Sequence, residues 1–142
     1  MAKYMLIMRG TDESQAAFES SDISFDEMLA TMGRYNNELI EAGVLVAAEG
    51  LDDPSQGVVV DYSTPEPTVT DGPYGETKEL FNGFWILDVA TKDEAVAWAR
   101  KAPLAGPGMK VEIRRVPSID EFPADNEYVQ AERAWRERAG QL

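Results

Sequence analysis

The chain has 142 residues, enough for one domain with a core of its own. It contains no cysteine and no histidine, which excludes disulfides, thiolate metal sites, cysteine nucleophiles and imidazole as base or metal ligand. Twenty-six acidic residues against 13 basic ones give a net charge of −13, a surface that repels nucleic-acid phosphates and anionic membranes. No apolar run has the length of a bilayer span. Met1-Ala2-Lys3-Tyr4 passes straight into an apolar run without a small-residue cleavage site, so a mature cytoplasmic start is expected.

Tyr4 to Met8 reads as a first strand that ends at Arg9-Gly10, and the polar, acidic residues 11–23 read as a loop. Ser24-Phe25-Asp26-Glu27 is a capping box, a serine whose hydroxyl and a glutamate three residues on satisfy each other's backbone amides. The helix it opens carries Phe25, Met28, Leu29, Met32, Tyr35, Leu39 and Ile40 at the spacing of one face and stops at Gly43. Val44 to Ala48 is a second strand leading into Glu49-Gly50-Leu51. Asp52 to Ser55 is a turn cluster, Gly57 to Tyr62 a third strand, and Thr68 to Thr70 a further extended run. Leu80 to Ala90 is the longest strand. Thr91 and Glu94 form a second capping box for a helix with Ala95, Trp98, Ala99 and Ala102 on one face, halted by Pro103. A Gly/Pro loop over 103–109 leads to a last strand, Lys110 to Val116.

The order β-α-β-β-(β)-β-α-β, with two helices and an antiparallel sheet, predicts a ferredoxin-like α+β protomer over residues 1–116. Residues 117–142 are expected to be an acidic linker and a helix from about Asn126 to Arg138, docking on the domain or on a partner protomer. The first and longest strands are apolar on both faces. Met5 and Ile7 alternate with Tyr4, Leu6 and Met8; Phe81, Trp85 and Leu87 alternate with Leu80, Phe84 and Ile86. Two helices cover one face of such a sheet, so the other needs a second layer. A second copy, packing sheet on sheet, is the favoured cover, and the C-terminal helix of the same chain is the alternative.

The densest local motif is Asp71-Gly72-Pro73-Tyr74-Gly75-Glu76-Thr77-Lys78-Glu79. It resembles the signature of the DGPF branch of the YCII-related family, with tyrosine at 74 where that family usually has phenylalanine. Lys3 to Ile7, Glu41 to Leu45, Glu49-Gly50-Leu51 and Gly83-Phe84-Trp85 extend the likeness over about residues 3–116. The resemblance implies a dimeric α+β barrel, a cleft between sheet and helix, and association with an extracytoplasmic-function sigma factor. It also implies a His–Asp catalytic pair in the broader group. This chain has no such histidine; by spacing its place falls near Met32.

The remaining acid–base groups are oxygen acids and amines. Asp71, Glu49 and Tyr35 are the candidate catalytic residues, two carboxylates and a phenol that a ferredoxin-like sheet can bring to one end. Each has a plainer reading: Asp71 capping its own turn, Glu49 in water at a strand end, Tyr35 in the core. Arg9, Lys78, Tyr74 and Glu76 are the candidate substrate-binding residues, with ion pairing as the simpler role for the charged ones. Gly72 is expected to adopt a backbone conformation costly for other residues, with Asp71 bonding turn amides. No metal site, cofactor motif or phosphate-cradling loop is expected. Two functions follow: an acid–base enzyme for a small organic acid or ketone, working as lyase, isomerase or hydrolase, or a non-catalytic module that binds a small organic ligand or a protein partner.

Overall fold

The computed structural model describes residues 1–72 and 79–142. Strand β1 (Ala2–Gly10) is followed by two helices, α1 (Asp12–Glu19) and α2 (Phe25–Glu41), and by β2 (Leu45–Gly50). A hairpin of β3 (Val58–Asp61) and β4 (Thr68–Asp71) precedes β5 (Leu80–Val89), α3 (Lys92–Lys101), β6 (Lys110–Val116) and α4 (Glu127–Arg138). Single 3-10 turns stand at Pro54–Gln56 and Ile119–Glu121. The main sheet is antiparallel throughout, in the order β2-β5-β1-β6. With the hairpin set aside, this is the ferredoxin-like plan the element order predicts, and β3 and β4 form a two-stranded sheet of their own.

Sequence chemistry explains the elements that hold the core. Ser24 and Glu27 make both halves of the capping box on α2, and Thr91 accepts from the Glu94 amide to start α3. Helix α2 ends as Gly43 enters the left-handed region at φ 71°. On the helix side of the sheet, Tyr4 and Leu6 of β1 and Trp85, Leu87 and Val89 of β5 meet Tyr35 and Leu39 of α2 and Ala95 of α3. Leu6, Leu39, Leu87 and Val89 are wholly buried, each such side chain contributing roughly 1.5–3 kcal/mol of transfer free energy. Tyr35 and Trp85 pack edge to face at 5.3 Å, and the Trp85 indole donates to Asn36 Oδ1 at 2.9 Å. Among the described residues no helix is long and apolar enough to cross a membrane.

Four expectations change. Residues 12–19 are a helix, not loop. Thr11 and Ser14 cap it reciprocally, with serine in place of the usual glutamate, and Asp12 and Glu13 suit its N-terminal dipole. No residue of α1 is buried, so it carries little hydrophobic pattern to read. The seven-residue apolar stripe of α2 is divided: Tyr35 and Leu39 enter the core, while Phe25, Leu29 and Ile40 are exposed. Gly72 has no positive φ, and a Cβ there would meet only ordinary contacts, the nearest Val59 Cγ2 at 3.4 Å.

The fourth change concerns the long strand. Phe81 does not share a face with Trp85 and Leu87. The pairing of β1 with β5 steps from Met8↔Gly83 to Arg9↔Phe81, which leaves Asn82 as an extra residue, a β-bulge. Phe81 and Phe84, three apart, therefore lie on one face with their rings stacked at 6.2 Å. Gly83, at φ 151°, permits this, because a Cβ there would stand 2.6 Å from Glu49 O and from Met8 Cε. Met5, Ile7, Phe84 and Ile86 form a half-buried patch on the sheet face turned away from the core cluster.

Candidate ligand-binding cleft

The bulge, α1 and two loops together build a cleft of about 510 Å³ at one end of the sheet, within the size range of small-molecule sites. One wall is helical, with Ser14, Gln15 and Phe18 from α1 and Met28, Thr31 and Met32 from α2. The opposite wall is Leu51 to Pro54 and the loop from Pro103 to Ala105, with Met109 and the bulge residue Asn82. Local chemistry fixes both walls. Asp53 accepts from Ser55 N at 2.9 Å and Ser55 Oγ at 2.7 Å, capping the 3-10 turn. Those bonds, the hydroxyl's first, hold its carboxyl below the ordinary range, so it is charged at neutral pH. Gly108, at φ 79°, lies so close to Thr11 that a Cβ would collide with the Thr11 hydroxyl, seating the 103–109 loop on the start of α1. The lining is mostly apolar, and three methionines make it adaptable in shape.

The three candidate catalytic residues are not among the described residues lining this cleft. Tyr35 is 4% exposed in the core, where its hydroxyl donates to the Trp98 carbonyl at 2.8 Å and ties α2 to α3. Burial, with the Glu38 charge as a lesser cause, pushes its pKa up to about 12. Glu49 is exposed on the edge strand β2, opposite Phe84. Asp71 is exposed at the end of β4, opposite Val58. Arg9 forms ion pairs with Glu79 and, at 3.5 Å, with Glu112, and Lys110 reaches Glu79 at 2.9 Å. Lys110 first and Arg9 second hold the Glu79 carboxyl below its usual range. Tyr74, Glu76 and Lys78 lie outside the described residues, as does the Pro73 step of the motif.

Sequence reasoning missed Asn82 and the whole of α1 as contributors. Two signals were present: the Thr11–Ser14 pair three residues apart, and Phe81 and Phe84 spaced three apart around Asn82-Gly83. A glycine inside a strand pattern marks a bulge or a close backbone approach. Met32 of α2 lines the cleft.

An uncharacterised protein of Rhizobium meliloti (strain 1021) is 32% identical over 82 residues, a stretch covering 58% of this chain and 66% of that relative. The family model of the YCII-related domain matches residues 2–118, from the start of β1 to just past the end of β6, and the chain therefore belongs to the YCII-related domain family.

Proposed function

We propose that this protein holds a small, largely apolar organic molecule in the cleft between α1, α2 and the bulged end of the sheet, as a binding module of the DGPF branch. The observation that carries the reading is the cleft itself: 510 Å³, walled by Phe18, Ile23, Met28, Met32, Leu51 and Leu104. Asp71, Glu49 and Tyr35 do not line it. Tyr35, with a pKa near 12, carries its proton at neutral pH and spends it on the Trp98 carbonyl. The chain has no histidine to serve as a base near neutral pH, which favours binding over proton transfer.

A thermal-shift screen of small organic compounds on the full chain tests this. Hits should raise the melting temperature of the wild-type protein and not that of Met32→Trp, whose indole fills the cleft. Equal shifts in both would remove the cleft as the site. Consumption of a hit by the protein, lost in Asp71→Asn or Glu49→Gln, would restore the acid–base reading.

The same module acts as a homodimer in this reading. Met5, Ile7, Phe84 and Ile86 are an apolar patch bordered by the Arg9–Glu112 and Arg114–Glu112 pairs, the composition of an interface with an apolar centre and a charged rim. A second copy packs its equivalent patch there, sheet on sheet. Exposed Tyr128 and Trp135 on α4 then remain for the partner protomer or a regulatory protein.

A further inference from the structure

The β-bulge has a consequence for what the cleft selects. In a regular strand Asn82 would share the face of Phe84, away from the helices. The extra residue turns it to the helix side, where it occupies space that Gly10 leaves open: a Cβ on residue 10 would collide with the Asn82 amide nitrogen. The main chain of Asn82 is fixed, since its carbonyl accepts from Leu51 N at 3.0 Å. Its side-chain carboxamide, by contrast, makes no hydrogen bond among the described residues and is not sealed from solvent, and it lines the cleft. Several neighbouring polar groups have partners of their own. Ser14 Oγ donates to Thr11 O and accepts from Thr11 N, both at 2.8 Å. The Thr31 hydroxyl donates to Glu27 O at 2.8 Å, Gln15 donates to Glu19 at 3.0 Å, and Asp53 serves Ser55.

We infer that Asn82 is the residue that orients the ligand, and that the ligand is a neutral molecule with an apolar body and an amide-like head that both donates and accepts. This rests on the cleft being the binding site. A carboxamide offers one acceptor and two donors in a plane, and a second amide or lactam pairs with it edge to edge through two hydrogen bonds. A charged head would lose hydration beside an uncharged partner. Asp52 and Asp53, at the rim, are both exposed, so their attraction for a cation is screened by water. The bulge thus supplies specificity, and the methionines and Phe18 supply the apolar surface.

The test uses three probes with one phenylalkyl skeleton: hydrocinnamamide, its methyl-ketone isostere benzylacetone, and hydrocinnamate. Binding is followed by heteronuclear NMR on the isotope-labelled full chain, with the Asn82 side-chain amide assigned by its loss in Asn82→Leu. The expected result is that the amide binds the wild type about tenfold more tightly than the ketone, the worth of one additional hydrogen bond. The Asn82 side-chain signals should shift with the amide, and hydrocinnamate should bind most weakly. In Asn82→Leu the amide and ketone should bind equally, both still excluded by Met32→Trp. An unchanged amide-to-ketone ratio in Asn82→Leu, or Asn82 signals that stay still while the amide saturates the wild type, would overturn the role of Asn82 and leave the cleft standing. Binding of both neutral probes unaffected by Met32→Trp would overturn the cleft, and the inference with it. Tightest binding by hydrocinnamate would overturn the ligand class.

Discussion

Two glycines in this chain sit in equally conspicuous motifs and face opposite outcomes. Gly83 holds φ 151°, and an added Cβ would stand 2.6 Å from the Glu49 carbonyl and 3.1 Å from Gly50 Cα. Backbone atoms cannot yield as a side chain can, so Gly83→Ala should destabilise by about 2–3 kcal/mol or more, read from urea unfolding midpoints. Gly72 has neither a positive φ nor a close neighbour, so Gly72→Ala should stay within about 0.5 kcal/mol of wild type. Tyr35 gives a pH signature. Its folded pKa of about 12 stands above the ordinary 10.0. Below pH 10 both states keep the proton, and between 10 and 12 the unfolded chain loses it first. The folded state then binds more protons, so stability falls as pH rises through that window. Tyr35→Phe should flatten this part of the stability–pH curve, at a cost of about 1 kcal/mol at neutral pH for the bond lost to Trp98.

Among the elements, the segment between β6 and α4 depends on charge. Arg115 grips both oxygens of Glu121, at 2.7 and 2.8 Å, and Ser118 N adds a third bond at 2.6 Å. The Arg115 bonds first, and the Ser118 amide second, lower the Glu121 pKa from 4.5 to about 2. A lowered carboxyl pKa stabilises above pH 4.5, and that contribution is lost as pH falls from 4.5 towards 2. A carboxyl NMR titration should place the Glu121 midpoint near 2, and Arg115→Gln should move it up towards the ordinary value. A midpoint that Arg115→Gln leaves unchanged would show that the arginine is not the cause. Helix α1 shows the other side of the same physics: its capping box is complete, yet it has no buried residue. It lies against β1 and contributes Ser14, Gln15 and Phe18 to the cleft lining.

For the whole molecule, the sheet presents one face to α2 and α3 and the other to whatever meets Met5, Ile7, Phe84 and Ile86. Light scattering at micromolar concentration should report twice 15.7 kDa for the proposed dimer. Ile7→Glu with Phe84→Glu should return the mass to that of one chain, since two carboxylates at the centre of the patch would be desolvated without partners. A wild-type mass of 15.7 kDa at all concentrations would end the sheet-on-sheet proposal.

The sequence alone determined the elements whose signals are local. Ser24–Glu27, Thr91–Glu94 and Gly43 bound the helices because capping is decided within one turn of backbone. The continuous apolar run Tyr4 to Met8 and the long run from Leu80 identified the central strands, because a strand with apolar residues on both faces reads as an unbroken run. The antiparallel plan then followed from the order of elements. Tertiary structure decided what depends on two segments meeting. It gave Tyr35 to the core by supplying the Trp98 carbonyl, and it put Glu49 and Asp71 in solvent on β2 and β4. It turned Asn82 into the cleft through a single register step between β1 and β5. A register step is a property of paired strands, fixed by the close approach at Gly83 and the space above Gly10, so neither strand's sequence states it alone.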